Sequence, residues 1–275
     1  SPEWANIPLT EQGDVIVTLC QALVATGAVT AELGGWDDDA WADLRILPTL
    51  YLFAEGRRSI EAGDAQSAAD LLHQALAANG AENRFGIGAN LSAATAAASA
   101  MLGDIESATE LRDAASRLLS AGGALRDETE RLLLPADLLV GGPEAANGRW
   151  RRLRDRAHNN DRHYLLMRVL HDGWRLGLHD DLAALSHTAA RVQGPLAVAL
   201  SQYSSAAAGD AAALDQAVSG HLASGHALFA AELTSFAIHS ARQDGRRLPV
   251  SPPMQHSLQA LVGLHGVNTP IMKRV

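Results

Sequence analysis

Apolar residues recur at helical spacing along most of the chain. Leu111, Ala114, Ala115, Leu118 and Leu119, for example, collect on one face of a helix, the spacing of a buried stripe. This pattern predicts helices near 9–26, 38–62 with an interruption at Pro48, 65–79, 84–102, 105–121 and 125–140 with a kink at Pro135. It continues with helices near 143–159, 161–176, 179–192, 195–208, 211–223, 226–243 and 252–264. Pro143, Pro195 and Pro252 or Pro253 fall where helices begin, the place proline is best tolerated. The stretch 35–40, Gly-Trp-Asp-Asp-Asp-Ala, sets carboxylates at a helix N-terminus, where the helix dipole favours them.

Turn signals between these helices are periodic. They stand at Gly63-Asp64, Gly103-Asp104, Gly141-Gly142, Gly177 followed by Asp180, Gly209-Asp210 and Asp244-Gly245, with glycine spacings of 40, 38, 36, 32 and 36. Each interval holds two helices, the length of a helix-turn-helix repeat unit. Glycine supplies the left-handed backbone that ends one helix, and the neighbouring Asp caps the next. The first two units also share small residues at matching offsets: Gly56, Ala68 and Ala75 around Gly63, and Ala96, Ala108 and Ala115 around Gly103. In a tetratricopeptide-type hairpin these are the positions of closest helix approach. Around Gly209 the same offsets give Gln202, Leu214 and His221, so the later units keep the period without the small triad. The expected fold is all-α, an α-solenoid of antiparallel helix pairs with tetratricopeptide-like repeats. Residues 1–275 form a single elongated helical-repeat domain, stabilised by neighbour contacts rather than one central core.

Composition supports this reading. Alanine fills 52 of 275 positions and aromatics make up 4%, a balance that favours helix over sheet. The net charge of -9 sets the chain as a whole against phosphate, which argues against duplex binding. Cys20, the single cysteine, excludes an internal disulfide framework and a cysteine-based zinc site; among Val, Leu and Ala it reads as a buried, inert thiol. The uncharged run 85–103 is built of small residues, too weakly apolar for a membrane, and reads as a helix packed tightly between neighbours. With no basic, apolar leader after Ser1-Pro2-Glu3, the expectation is a soluble protein of the cytoplasm.

The motifs of common enzymes are missing from the sequence. The only lysine, Lys273, lies between Met272 and Arg274, so no Walker loop exists; Gly86-Ile87-Gly88 lacks the third fingerprint glycine, Leu91 standing in its place. No Gly-x-Ser-x-Gly elbow occurs. Of eleven histidines, no two lie three or four apart, and His171, His179 and His187 fall on different helices; scattered surface or half-buried histidine is the expectation, with no metal and no cofactor. The chain is therefore read as not an enzyme. Arg149, Arg151, Arg152, Arg154 and Arg156, with Arg162 after them, form the densest basic run. Arg149, Arg152 and Arg156 share one face, while Trp150, Leu153 and Ala157 form the apolar stripe. That face is either a contact for an anionic ligand or acidic surface, or a solvated face interleaved with Asp155. Trp150, Tyr164, Trp174, Trp36 and Trp41 concentrate the aromatic area, which serves either core packing or a concave ligand site. Trp150, Arg152, Tyr164 and Trp174 are the candidate ligand-binding residues.

From Val192 onward a further pattern appears. Val192-Gln193-Gly194-Pro195-Leu196-Ala197 opens a stretch running to Ala206-Ala207-Ala208-Gly209-Asp210. Ala212-Ala213-Leu214, Ala230-Ala231-Glu232-Leu233 and Arg242-Gln243-Asp244-Gly245-Arg246 follow, closing with Leu264-His265-Gly266-Val267-Asn268-Thr269-Pro270. This order resembles the last helical repeats of large LuxR-type transcription regulators, the group that includes the maltose regulator. The resemblance implies a tetratricopeptide-like region between a nucleotide-binding ATPase and a C-terminal helix-turn-helix domain, with 265–275 as the start of the linker to the latter. Neither ATPase nor DNA-binding motifs are carried here, so it implies a sensing and coupling region. Its expected partners are a small-molecule inducer or protein on the concave face, together with the parent's other domains; nucleic acid and membrane are not expected partners of this chain. The alternative is a free-standing tetratricopeptide-like protein-binding scaffold.

Overall fold

A computed structural model describes residues 47–80, 87–120, 126–262 and 269–270. The expected helix at 9–26, the 38–46 part of the next one, Cys20, the 35–40 stretch, Trp36 and Trp41 lie outside the described residues, as does most of 265–275. The described residues are helical, with no strand among them.

Six segments make the first part: α1 (Leu47–Ala62), α2 (Ala65–Asn79), α3 (Gly88–Leu102), α4 (Ile105–Ser120), α5 (Arg126–Leu132) and the single turn α6 (Leu134–Ala136). A π-helical turn at Asp137–Gly141 leads into α7 (Gly142–Asn159) and α8 (His163–Arg175). Then come α9 (Leu182–Ala189), α10 (Pro195–Ser201), α11 (Tyr203–Ala207), α12 (Ala211–Ala223), α13 (Ala227–Gln243) and α14 (Pro252–Val262). Each long helix packs against its neighbour in sequence, as a helical solenoid requires. The array also curls: α13 comes back against α1, so the chain is less elongated than its period alone implies.

The turn chemistry follows the sequence pattern. Gly63, Gly103, Gly177, Gly209 and Gly245 all take positive φ, the conformation that reverses the chain after a helix. Asp64, Asp104 and Asp210 then accept backbone N–H groups of the next helix, from Ser67 and Ser107 at 3.0 Å and from Ala212 at 2.9 Å. After Gly177 this role falls to Asp181, which accepts from Ala184 N–H at 2.9 Å. Each such cap contributes about 1 kcal/mol.

Close packing rests on the small residues. Ala68, Ala75, Ala96, Ala108 and Ala115 are fully buried, and a Cβ placed on Gly56 would stand 2.6 Å from Leu72 Cγ. The uncharged run becomes α3, a central helix with 13 of its 15 residues buried and with α1, α2, α4, α5 and α6 around it. The later units, lacking the small triad, use other close approaches: Gly173 lies under the Trp150 indole, and Gly220 lies against Ala199. Pro135 disrupts the regular helix as expected, because it offers no N–H and its ring crowds the preceding turn; the backbone passes through the short α6 and the π-helical turn before α7 resumes. No helix of the described residues is long and apolar enough to cross a membrane.

Candidate functional site

Where α1, α8 and α13 face one another, the curled array encloses an open cavity of about 480 Å³, within the size range of small-molecule sites. Its walls come from distant parts of the sequence: α1, α3, the α5–α7 corner, the end of α8, Phe229 of α13, and Thr269 and Pro270. The π-helical turn has a direct effect here, since it brings Leu138 and Leu139 to the wall beside Pro135 and Pro143.

The cavity lining combines apolar and charged side chains. The apolar lining includes Met101, Leu132, Leu139 and Leu178; the charged lining is Arg57, Glu61, Arg131, Arg168, Asp172 and Arg175. Arg131 donates to both oxygens of Glu128, Nε to Oε2 and Nη2 to Oε1, each at 2.8 Å, and Nη1 reaches Asp172. Arg57 Nη2 shares Glu128 Oε1 at 2.8 Å. Arg175 holds Glu232 through Nε at 2.5 Å and Nη2 at 3.1 Å, and its guanidinium lies 4.4 Å from the centre of the Phe229 ring. Arg168 Nη2 donates to Glu61, whose other oxygen lies 3.0 Å from His226 Nε2. Burial alone would raise the Glu61 carboxyl, yet Arg168, His226 and Arg57 outweigh it and hold the group well below the carboxylate range. Glu128 is depressed in the same way, burial being overcome by Arg131 and Arg57. These acids are therefore ionised at neutral pH, and the wall is a set of fixed charges.

A second cluster adjoins the first. The Tyr203 hydroxyl lies 2.9 Å from His221 Nε2 and 3.3 Å from His171 Nε2, with Phe229 edge-on to both imidazoles. Burial, then Arg175 and the neighbouring histidine, push His171 well below its ordinary value, and burial with His226 does the same to His221. Burial pushes the Tyr203 phenol up. His171, His221 and His226 are thus not scattered, contrary to the sequence expectation: they converge from α8, α12 and the turn before α13. Among the described residues no group of His, Cys, Asp and Glu is arranged to hold a metal ion.

None of the four sequence candidates lines the cavity. Trp150 is buried, donating from Nε1 to the Val169 carbonyl at 2.8 Å and stacking on His179 at 4.8 Å. Trp174 is buried edge-on to Tyr203 and Phe236. Arg152 is exposed, and half-exposed Tyr164 accepts from Arg168 Nη1 at 3.3 Å, just behind the charged wall. The dense arginine run is largely matched within the chain: Arg149 pairs with Asp137, Arg156 with Asp127 and Glu130, and Arg162 with Asp127. Of the cavity arginines, Arg57 and Arg131 stand among other charged residues of α1 and α5, while Arg168 and Arg175 are set in the largely apolar α8. Arg168, Asp172 and Arg175 on α8 have i, i+4 and i+7 spacing between Leu, Met, Val and Trp, so they lie on a face that packs rather than one that meets solvent. That juxtaposition was the available signal. No family model, curated protein or solved structure matches the chain, and its function is open to inference from the residues of this cavity.

Proposed function

We propose that the chain is the ligand-sensing and coupling region of a LuxR-type transcription regulator of the cytoplasm, and that the cavity is its ligand chamber. One observation carries the reading: Thr269 and Pro270, from the segment that resembles the lead into a DNA-binding domain, form part of the cavity wall. A ligand held there touches α1, α8, α13 and the exit segment at once. Binding then favours whichever arrangement of the array completes those contacts, and the shift is limited by the ligand's difference in affinity between the arrangements. The wide spread of the lining residues along the sequence supports the same idea, since occupancy joins early and late repeats. An inducer would enter the chamber, and the parent's other domains would read the position of the exit segment.

A thermal-shift screen of the chain against small metabolites tests this. A true ligand at 100 times its dissociation constant should stabilise by about 2.7 kcal/mol, and hydrogen exchange should show added protection at 269–270 as well as at α1 and α8. A metabolite set that leaves the melting curve unchanged, or a ligand that protects residues only away from the exit segment, overturns the coupling role. The reading frame downstream of Val275 tests the family: a basic helix-turn-helix domain supports it, and an immediate stop codon removes it.

A further inference from the structure

The charges on the cavity wall are unequal. Arg57, Arg131, Arg168 and Arg175 all line the cavity, while among the described residues two carboxylates, Glu61 and Asp172, line it with them. The acids that balance the remaining charge, Glu128 and Glu232, do not line it, and Glu232 is fully buried. Among the described lining residues the wall thus carries more guanidinium groups than carboxylates, although the network as a whole is compensated. In a site partly shielded from water an excess of positive charge acts more strongly on a bound group than it would in bulk solvent.

The four arginines are not equally committed. Arg131 and Arg175 are each clamped to both oxygens of one carboxylate and also reach Asp172. Arg57 has Nη2 on a carboxylate already shared with Arg131. Arg168 has Nη2 on Glu61, a carboxylate shared with His226, and Nη1 on the Tyr164 hydroxyl at 3.3 Å, while its buried Nε has no partner among the described residues. Arg57 and Arg168 are thus the guanidinium groups with donor capacity in reserve, and planar guanidinium is well matched to an oxyanion. Much of the remaining lining is apolar and includes Met101, Leu132, Leu139 and Leu178.

Resting on the reading of the cavity as a ligand chamber, we propose that its ligand is a small amphiphile with an oxyanion head, a carboxylate or phosphate monoester, directed to Arg57 and Arg168, and an apolar body against the Met101–Leu139 side. The cavity's size, its excess of arginine over carboxylate among the described lining residues and its apolar lining together select this class. A polar, body-less anion would leave the apolar wall wet, and a cationic head would meet the arginines.

Isothermal titration of the whole chain with octanoate, octyl phosphate and 1-octanol tests the class. The anionic probes should bind one to one and about tenfold or more tighter than the alcohol. Octanoate alone succeeding would assign a carboxylate head, and octyl phosphate alone a phosphate head. Arg57→Gln keeps the Arg131–Glu128 clamp and should weaken the anionic probes about tenfold while leaving 1-octanol unchanged. Leu139→Trp, which leaves every charge in place, should weaken all three. Equal binding of 1-octanol, or an Arg57→Gln variant of native helicity with unaltered octanoate affinity, overturns the oxyanion head while the chamber itself stands. Absence of binding by all three probes overturns the amphiphile class; the metabolite screen still decides the sensing role separately.

Discussion

Glu61 and Arg168 lie 107 positions apart in the sequence and meet as a buried ion pair, with His226 on the other carboxylate oxygen. The pair ties α1 to α8, and His226 at the N-cap position of α13 ties both to the late repeats. Two ions taken from water cost several kcal/mol each, which good geometry and extra hydrogen bonds offset. The contact therefore fixes which arrangement the curled array takes more than it adds stability. Removing one partner leaves the other charge stranded, so Glu61→Ala should destabilise by about 3–5 kcal/mol in urea denaturation. The double change Glu61→Leu with Arg168→Met should recover most of that loss. A loss in the double variant equal to the sum of the two single losses would show that the pair is not coupled.

Much of the architecture was legible because it is local. The glycine period, the Asp caps and the small residues at Gly56, Ala68, Ala75, Ala96, Ala108 and Ala115 act within one hairpin, and their spacing survives in the sequence. The kink at Pro135 was legible for the same reason, a missing N–H at a known place. The cavity was not. Arg57, Arg131, Arg168 and Arg175 come from three helices separated by long intervals, and each reads locally as one more charged residue. The dense run from Arg149 to Arg162 attracted attention by number, yet its members meet Asp127, Glu130 and Asp137 near the surface. The histidine cluster was hidden likewise, since His171 and His221 meet only when α8 and α12 pack.

Acid should weaken the fold in two stages. His171 and His221 are held neutral, chiefly by burial and then by neighbouring positive or titratable groups. Their folded values are lowered, so below about pH 6.5 the unfolded chain binds protons that the native chain refuses. Stability then falls as pH drops, by up to about 1.4 kcal/mol per pH unit for each histidine. Glu61 and Glu128 are lowered too; their contribution is complete above the ordinary carboxylate value and is lost as pH falls below it towards their folded values. Urea midpoints measured between about pH 7.5 and pH 5 should show the first stage, and His171→Phe should make its slope shallower. A flat profile over that interval would contradict the buried neutral histidines.

Gly56→Ala separates packing from helix propensity. In an exposed helix the change would stabilise by about 0.8–1 kcal/mol, but here the new Cβ would stand 2.6 Å from Leu72 Cγ, where α1 and α2 approach each other. Overpacking should win, with a net loss of about 1–3 kcal/mol and a lower melting temperature by circular dichroism. Leu72→Ala in the same chain opens the space, so the pair should cost less than the sum of the two single changes. Simple additivity would mean that the helices move apart freely at this point.

Thr269 offers a test of the exit segment itself. Its side chain is buried at the cavity, and its hydroxyl has no hydrogen-bond partner among the described residues. A buried hydroxyl without a partner costs about 1–3 kcal/mol relative to an apolar group of the same shape. Thr269→Val keeps the shape and removes the polar atom, so the unliganded chain should gain stability on that order. If the hydroxyl is a contact for the ligand, the same variant should bind that ligand more weakly, so the two effects oppose each other. Urea denaturation with and without the best ligand of the metabolite screen measures both. A stability gain with ligand affinity unchanged would make Thr269 a packing residue and remove its hydroxyl from the coupling between chamber and exit.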